Sequence, residues 1–202
     1  MRLRHATPQE IRYACLNFHY AKAVPACKWS YSVFNDIGEW CGVIVYSSGA
    51  SPQIGKPYGL FQGEVLELVR VALNGRQKAT SEAVSASLRT VRKDARNVKM
   101  IVSYADTEQG HLGTIYQATN WKYVGVSKGH AYYVVNGKRL HSKTVTAKGW
   151  RQSEKWLREN VDKSAKVVRG GTSINTCFSS TRGCRSALVT CSYRTRKEPP
   201  ND

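Results

Sequence analysis

The stretch MIVSYADTEQGHLGTIYQATNWKYVG, residues 100–125, constrains the fold most, because it reads as strand, helix and strand with polar residues gathered at the junctions. Residues 100–104 are a short apolar run of the kind a buried strand makes. Ala105, Asp106 and Thr107 mark the strand exit and a helix start, with Asp106 or Thr107 placed to cap. Leu112, Ile115 and Thr119 recur at helical spacing and give that helix an inner face. Asn120 ends it, and residues 121–126 return as a strand.

The rest of the chain supplies partners for this unit. Residues 8–17 have helical composition with Thr7 as a cap, and Pro25 ends any continuation. Residues 29–34 and 40–46 read as two strands of a hairpin joined by Asn35-Asp36-Ile37-Gly38, a turn whose glycine suits positive φ. The glycine- and proline-bearing residues 47–63 make a long loop, a feature that in compact domains is usually functional or mobile. Residues 64–73 form a central strand and residues 80–93 the following helix, with Val84, Leu88 and Val91 on one face. Between them, residues 74–81 are a donor-rich turn at a helix N-terminus, where free backbone N–H groups and the helix dipole favour an anion. Residues 131–135 are a last strand turning at Asn136-Gly137, and residues 153–161 a short basic helix with Trp156 and Leu157. This order predicts an α/β fold with a mixed central sheet and helices on both faces. Residues 1–150 are read as the folded domain, and residues 151–202 as the basic helix and a tail that shows no sustained hydrophobic period from Gly170 onward.

Charge narrows the partners. The 202 residues carry 31 Lys and Arg against 14 Asp and Glu, a net +17, which favours a polyanion or an anionic membrane surface over an acidic small molecule. From Lys138 onward there are 15 basic and 5 acidic residues, so the excess is concentrated towards the end. No apolar run approaches the roughly 20 residues of a membrane span, and MRLRHATPQE has no signal-peptide core, so a cytoplasmic location is expected. The six cysteines include no CxxC, which argues against a zinc ribbon or a compact disulfide framework and for free thiols.

The segment IYQATNWKYVG, residues 115–125, resembles the Leu-Tyr-x-x-x-Gly-Phe-x-x-x-Gly element that closes the acyl-CoA site of the GNAT acetyltransferase fold, where the tyrosine lies beside the CoA sulfur. Extended through SYADTEQGHLGTIYQATNW and back to GASPQIGKPYG and GEVLELVRVAL, the pattern is closer still to the Mom DNA-modification proteins of Mu-like bacteriophages, over roughly residues 18–133. The resemblance implies a GNAT-like fold and a transferase that converts adenine in double-stranded DNA to N6-carbamoylmethyladenine in the host cytoplasm, shielding phage DNA from restriction. It also implies acetyl-CoA as cofactor and iron as metal; the oligomeric state stays open, a homodimer included. Residues 172–178, TSINTCF, can be encoded so that a shifted frame reads Lys-His-Lys-Tyr-Leu-Phe, similar to the basic, aromatic tails of that family. A frameshift near Gly170 is one expectation, and a tail that simply diverged is the other.

Several residues follow as site candidates. Tyr116 is the expected proton donor to a departing thiolate, against the plainer reading of a half-buried helix tyrosine. Asp106 follows a strand end, where open α/β sheets place reactive groups, and a helix cap explains it equally well. Ser103 and Tyr104 share that strand end. His19 and Tyr20 are metal ligands together with Asp106 if the resemblance holds, with His111 in reserve, although a lone histidine is more often structural. Arg70, inside an apolar strand, faces either a phosphate or an internal carboxylate such as Glu67. Arg76, Gln77, Lys78, Thr80 and Ser81 form the expected cofactor turn, which lacks the regular Gly-x-Gly of typical acetyltransferases. Lys56 and Tyr58 suit an extruded base. Lys138, Arg139, Lys143, Lys148 and Arg151 are expected at the DNA phosphates. The rival readings are an N-acetyltransferase of a protein or small amine and a noncatalytic DNA-binding protein.

Overall fold

The computed structural model describes residues 1–127, 129 and 131–179. Cys184, Cys191 and the expected irregular tail beyond residue 179 lie outside the described residues. The chain divides into two compact units. The first holds Met1–Tyr104, Gly113–Gly125 and the described residues from Asn175; the second holds Ala105–Leu112 and Val126–Ile174. The boundary expected at residue 150 falls inside the second unit.

The first unit begins with strand β1 (Arg2–His5) and helix α1 (Pro8–Asn17). The start of α1 is fixed by a capping box: Glu10 N–H donates to the Thr7 hydroxyl at 3.3 Å, Thr7 N–H donates to the Glu10 carboxylate at 2.8 Å, and Pro8 takes the first turn. Strands β2 (Trp29–Phe34), β3 (Trp40–Ser47) and β4 (Val65–Leu73) follow as an antiparallel meander. Helix α2 (Thr80–Asp94) then carries the chain over to β5 (Met100–Asp106), which lies parallel to β4. Helix α3 (Thr114–Ala118) and strand β6 (Lys122–Ser127) come next.

Two layers pack on the sheet. Ala83, Val84, Leu88 and Val91 of α2 join Tyr31, Ile44, Tyr46, Leu66, Leu68 and Ile101 in the largest core cluster. Ile11, Ala14 and Cys15 of α1 join Val43, Val45 and Ala72 in another. Helices on both faces of a mixed sheet are what the alternation of elements predicted.

The second unit has its own core, Tyr133, Val135, Val145, Leu157 and Ala165. Its three-stranded sheet has the order β8 (Lys138–His141), β7 (Ala131–Val135), β9 (Lys166–Arg169), with helices α4 (Ser142–Ala147) and α5 (Glu154–Asn160). Asn136 and Gly137 turn between β7 and β8 at φ 49° and 71°, the left-handed pair that a tight hairpin demands.

Two expectations are corrected. The helix expected from Asp106 to Asn120 is broken into a 3-10 turn (Thr107–Gln109) and the five-residue α3, because Gly110 and Gly113 sit at φ 69° and 73°. Leu112, between those glycines, is 66% exposed and takes no part in an inner face. Strands were not expected after residue 135, yet β10 (Ser173–Ser179) lies between β5 and β6 in the seven-stranded order β1-β2-β3-β4-β5-β10-β6. Its Thr176 and Cys177 are buried, and the Thr176 hydroxyl donates to the Ser103 carbonyl at 3.2 Å.

Candidate active site

Strand β4 makes the site by departing from regular pairing twice. Against β3, Val45 pairs with Arg70 and Tyr46 with Leu68, so Val69 is an extra, bulged residue. The bulge reverses the alternation: Leu66 and Leu68 join the α2 cluster before it, and Val71 and Leu73 pack against that cluster after it. On its other edge β4 pairs with β5 only from Val65 to Glu67, opposite Met100 to Val102, although both strands run on. Beyond Glu67 the two parallel strands therefore part.

Ser103 occupies the start of that gap. Its hydroxyl lies 2.9 Å from the Leu68 carbonyl oxygen and 2.7 Å from the Tyr116 hydroxyl. With one proton, it can donate to only one of these at a time. Tyr116 reaches the gap from α3, its ring set against Trp121 at 5.0 Å between centroids. Burial pushes the Tyr116 phenol above its ordinary range, the nearby Glu67 carboxylate adds to this, and Ser103 opposes it. Tyr104 is raised likewise by burial and by Glu67. Tyr116 and Ser103 are thus brought together, with Tyr104 one residue on.

The residue that sequence reading missed is Glu67. It was named only as a partner for Arg70, yet it is the last residue of β4 paired to β5, and its charge acts on both tyrosines. Its carboxylate also accepts the Ala50 N–H at 3.0 Å, tying the long loop to the strand. An acid in an otherwise apolar strand was the signal available.

That loop is anchored more firmly than its composition suggested. Tyr58, Ile54 and Leu60 pack on Val65, Met100, Val102 and Cys177. Burial, with Cys177 and Tyr104 nearby, pushes the Tyr58 phenol up to about 12. Lys56, in the same 3-10 turn (Lys56–Tyr58), is exposed.

Arg70 faces His19. Its Nη1 lies 2.9 Å from the ring Nδ1 and 3.3 Å from Nε2, while Nδ1 also accepts the Ala21 N–H at 3.1 Å. The His19 ring is 4.2 Å from that of Tyr20. A guanidinium against both imidazole nitrogens repels a cation, so the residues as placed do not fit an iron ion at His19. Among the described residues no group of three His, Cys, Asp or Glu side chains is placed to hold a metal. Asp106 belongs to the second unit, where its carboxylate caps the 3-10 turn by accepting the Glu108 N–H at 3.0 Å and its carbonyl accepts the His111 N–H at 3.2 Å.

The turn before α2 suits an anion. Ala79, at the helix cap, offers no side chain to the first-turn N–H groups. Gln77 donates to the Thr80 hydroxyl at 3.1 Å and leaves its buried Oε1 without a partner. Arg76 pairs with Glu39 at 3.6 Å, and Lys78 and Ser81 flank the same turn.

The expected phosphate contacts differ among themselves. Lys138 is exposed on β8, whereas Arg139 is held by Glu108 at 3.3 Å and lies over the Tyr132 ring at 4.0 Å. Lys148 lies over Trp150 at 5.3 Å, and Arg151 is exposed. Lys143 is on α4, and its side chain lies outside the described residues.

A parted pair of parallel strands with a tyrosine hydroxyl in the gap directs attention to acyltransferases, and comparison with known proteins bears on this directly. The model of the Mom protein family matches residues 1–173. The chain belongs to the Mom family. A curated relative, the methylcarbamoylase mom of Escherichia phage Mu, is 29% identical over 128 residues, covering 61% of this chain and 53% of that protein. The chain thus spans about half the length of this Mom relative. Among solved structures, a mutant spermidine N-acetyltransferase SpeG from Vibrio cholerae is similar with a TM-score of 0.51 at 10% identity, over 89% of this chain and 95% of that one. A provisionally named phosphinothricin N-acetyltransferase gives 0.51 at 9% identity, over 88% and 97%. This Mom-family chain accordingly has the GNAT acetyltransferase fold. Among the described residues no helix is long and apolar enough to cross a membrane.

Proposed function

We propose that this chain is a transferase that converts adenine in double-stranded phage DNA to N6-carbamoylmethyladenine and so shields it from restriction. The observation that carries the reading is the gap between β4 and β5 with Tyr116, Ser103 and Glu67 at it, in a chain of the Mom family. The name methylcarbamoylase, carried by the phage Mu relative, supports the group transferred, and the excess of basic residues supports a polyanionic substrate.

The roles follow from the geometry. Glu67 accepts a proton from the attacking exocyclic amine, because an ionised carboxylate beside two protonated phenols is the base of the set. Tyr116 stays protonated at neutral pH and holds its proton ready for a leaving group. When that proton goes, Ser103 turns its own hydroxyl proton from the Leu68 carbonyl to the phenolate oxygen and stabilises it. Lys56 and Tyr58 receive the base once it leaves the duplex, as chemistry on an exocyclic amine requires. Arg76, Gln77, Lys78, Thr80 and Ser81 would hold the phosphates of acetyl-CoA, with Arg70 at the reacting end. An acetyl thioester of CoA bound there would supply a thiol leaving group and an acyl carbon, which by themselves give N6-acetyladenine; the carbamoylmethyl product is bonded to N6 through its methylene and carries an amide nitrogen, so it needs a donor besides acetyl-CoA.

The test is mass spectrometry of nucleosides digested from plasmid DNA of cells expressing the full chain. A new adenine nucleoside heavier by a carbamoylmethyl group is expected. Unmodified plasmid together with acetylated protein or polyamine would turn the reading towards an ordinary N-acetyltransferase.

A further inference from the structure

Away from the gap, the first unit carries a second charged feature that the reaction does not use. A cleft of about 600 Å³ lies between the N-terminal strand β1 and the outer side of α2, lined by Arg2, Leu3, Ala86, Arg89, Arg92 and Lys93, with Met1 and Thr90 completing it. Ala86, Arg89, Thr90 and Lys93 stand at positions i, i+3, i+4 and i+7 of α2, so they form one stripe along the helix. No carboxylate lines the cleft.

The acids at the end of α2 and in the turn after β2 are committed elsewhere. Asp94 accepts the Tyr31 hydroxyl at 2.8 Å and pairs with His5 at 3.4 Å. Asp36 holds the N-terminal amine of Met1. Among the described residues none of the four cations forms an ion pair. Arg2 instead lies over the Phe34 ring at 5.5 Å, and Arg89 donates to the Ser85 hydroxyl at 2.9 Å. Cations in the last turn of a helix complement its dipole, which accounts for Arg92 and Lys93. It does not account for Arg89, one turn earlier, or for Arg2, on another element. Four cations line this cleft with no carboxylate among its lining residues, and the positive potential they set up attracts an anion.

We infer that this cleft is a phosphate-binding groove for the DNA backbone, a second anchor that holds the duplex while the target base is at the gap. This rests on the reading of DNA as substrate. The occupant is a run of phosphates rather than a nucleotide, because no aromatic side chain lines the cleft to stack on a base. The groove therefore fixes position without reading sequence.

The test is fluorescence anisotropy of the full chain on a labelled duplex between 50 and 200 mM salt. Each phosphate neutralised contributes about −0.9 to the slope of log K against log salt. The Arg89→Ala/Arg92→Ala double variant should bind more weakly at 50 mM and have a slope less negative by about 2, while Arg89→Lys/Arg92→Lys keeps the slope of the parent. Arg2→Gln, on a different element, should reduce the slope by about 1 and keeps the test valid should the helix variant fold poorly. A parent that binds DNA with salt dependence, joined by variants with the parent's slope, overturns the groove alone. A parent without salt-dependent DNA binding overturns the groove and the DNA reading together.

Discussion

At the scale of single residues, the site turns on which hydroxyl holds which proton. Tyr116 and Ser103 share a hydrogen bond of 2.7 Å at the gap, so Tyr116→Phe deletes one hydroxyl and keeps the ring packing. Plasmid modification should fall by at least about 100-fold, the usual worth of a general acid. Thermal melting should register no more than the loss of one hydrogen bond, about 1 kcal/mol. Full modification by this variant, measured by nucleoside mass spectrometry, would remove Tyr116 from its role. Asp106→Asn separates two further roles, because an amide oxygen can still accept the Glu108 N–H while the charge is gone. Placed as a cap, Asp106 should give a stable variant that still modifies DNA; a stable variant with no modification would instead give its charge a part in the reaction.

At the scale of elements, α1 is joined to β1 by a carboxylate. Burial favours the protonated form of Glu10, but hydrogen bonds from Arg4, the Thr7 backbone and the Ser32 and Thr7 hydroxyls outweigh it and bring Glu10 to about 2, below the ordinary 4.5. A carboxyl lowered on folding contributes stability that is complete above about 4.5 and is lost as the pH falls through about 2. Glu10→Gln should therefore lower the melting temperature at pH 7 and flatten its fall between those pH values. A melting curve with the same acid dependence as the parent would show that the Arg4–Glu10 pair does not hold the helix. The long loop makes the opposite point: its glycines and prolines suggested mobility, yet Tyr58, Ile54 and Leu60 fasten it to the core.

At the scale of the whole molecule, β10 inserts the end of the described chain into the sheet, one strand from its edge. Removing residues 173–202 takes out the strand between β5 and β6, with buried Cys177 and the bond from Thr176 to the Ser103 carbonyl. Two strands then lose their partner, and an exposed edge invites aggregation. Such a truncated chain should be insoluble or lack a cooperative melt; a soluble form melting with the full-length chain would contradict the strand order. The loss would include the site, since Ser103 is fixed from both sides.

Local signals carried much of this. The Thr7–Glu10 capping box, the Asn35–Gly38 turn, the apolar face of α2 and the Asn136-Gly137 hairpin are all written within a few residues of where they act. The motif around Tyr116 pointed to both family and fold. What stayed illegible depended on partners far away in the chain. TSINTCF has no marked apolar period, and it is a strand because a slot between β5 and β6 is there to receive it. Glu67 gains its significance because β4 and β5 part just beyond it, and pairing that stops is a property of two strands together. The bulge at Val69 likewise exists only in register with β3. Sequence settled what each segment could become; tertiary pairing decided which side chains met, because hydrogen-bond register and burial are set between segments.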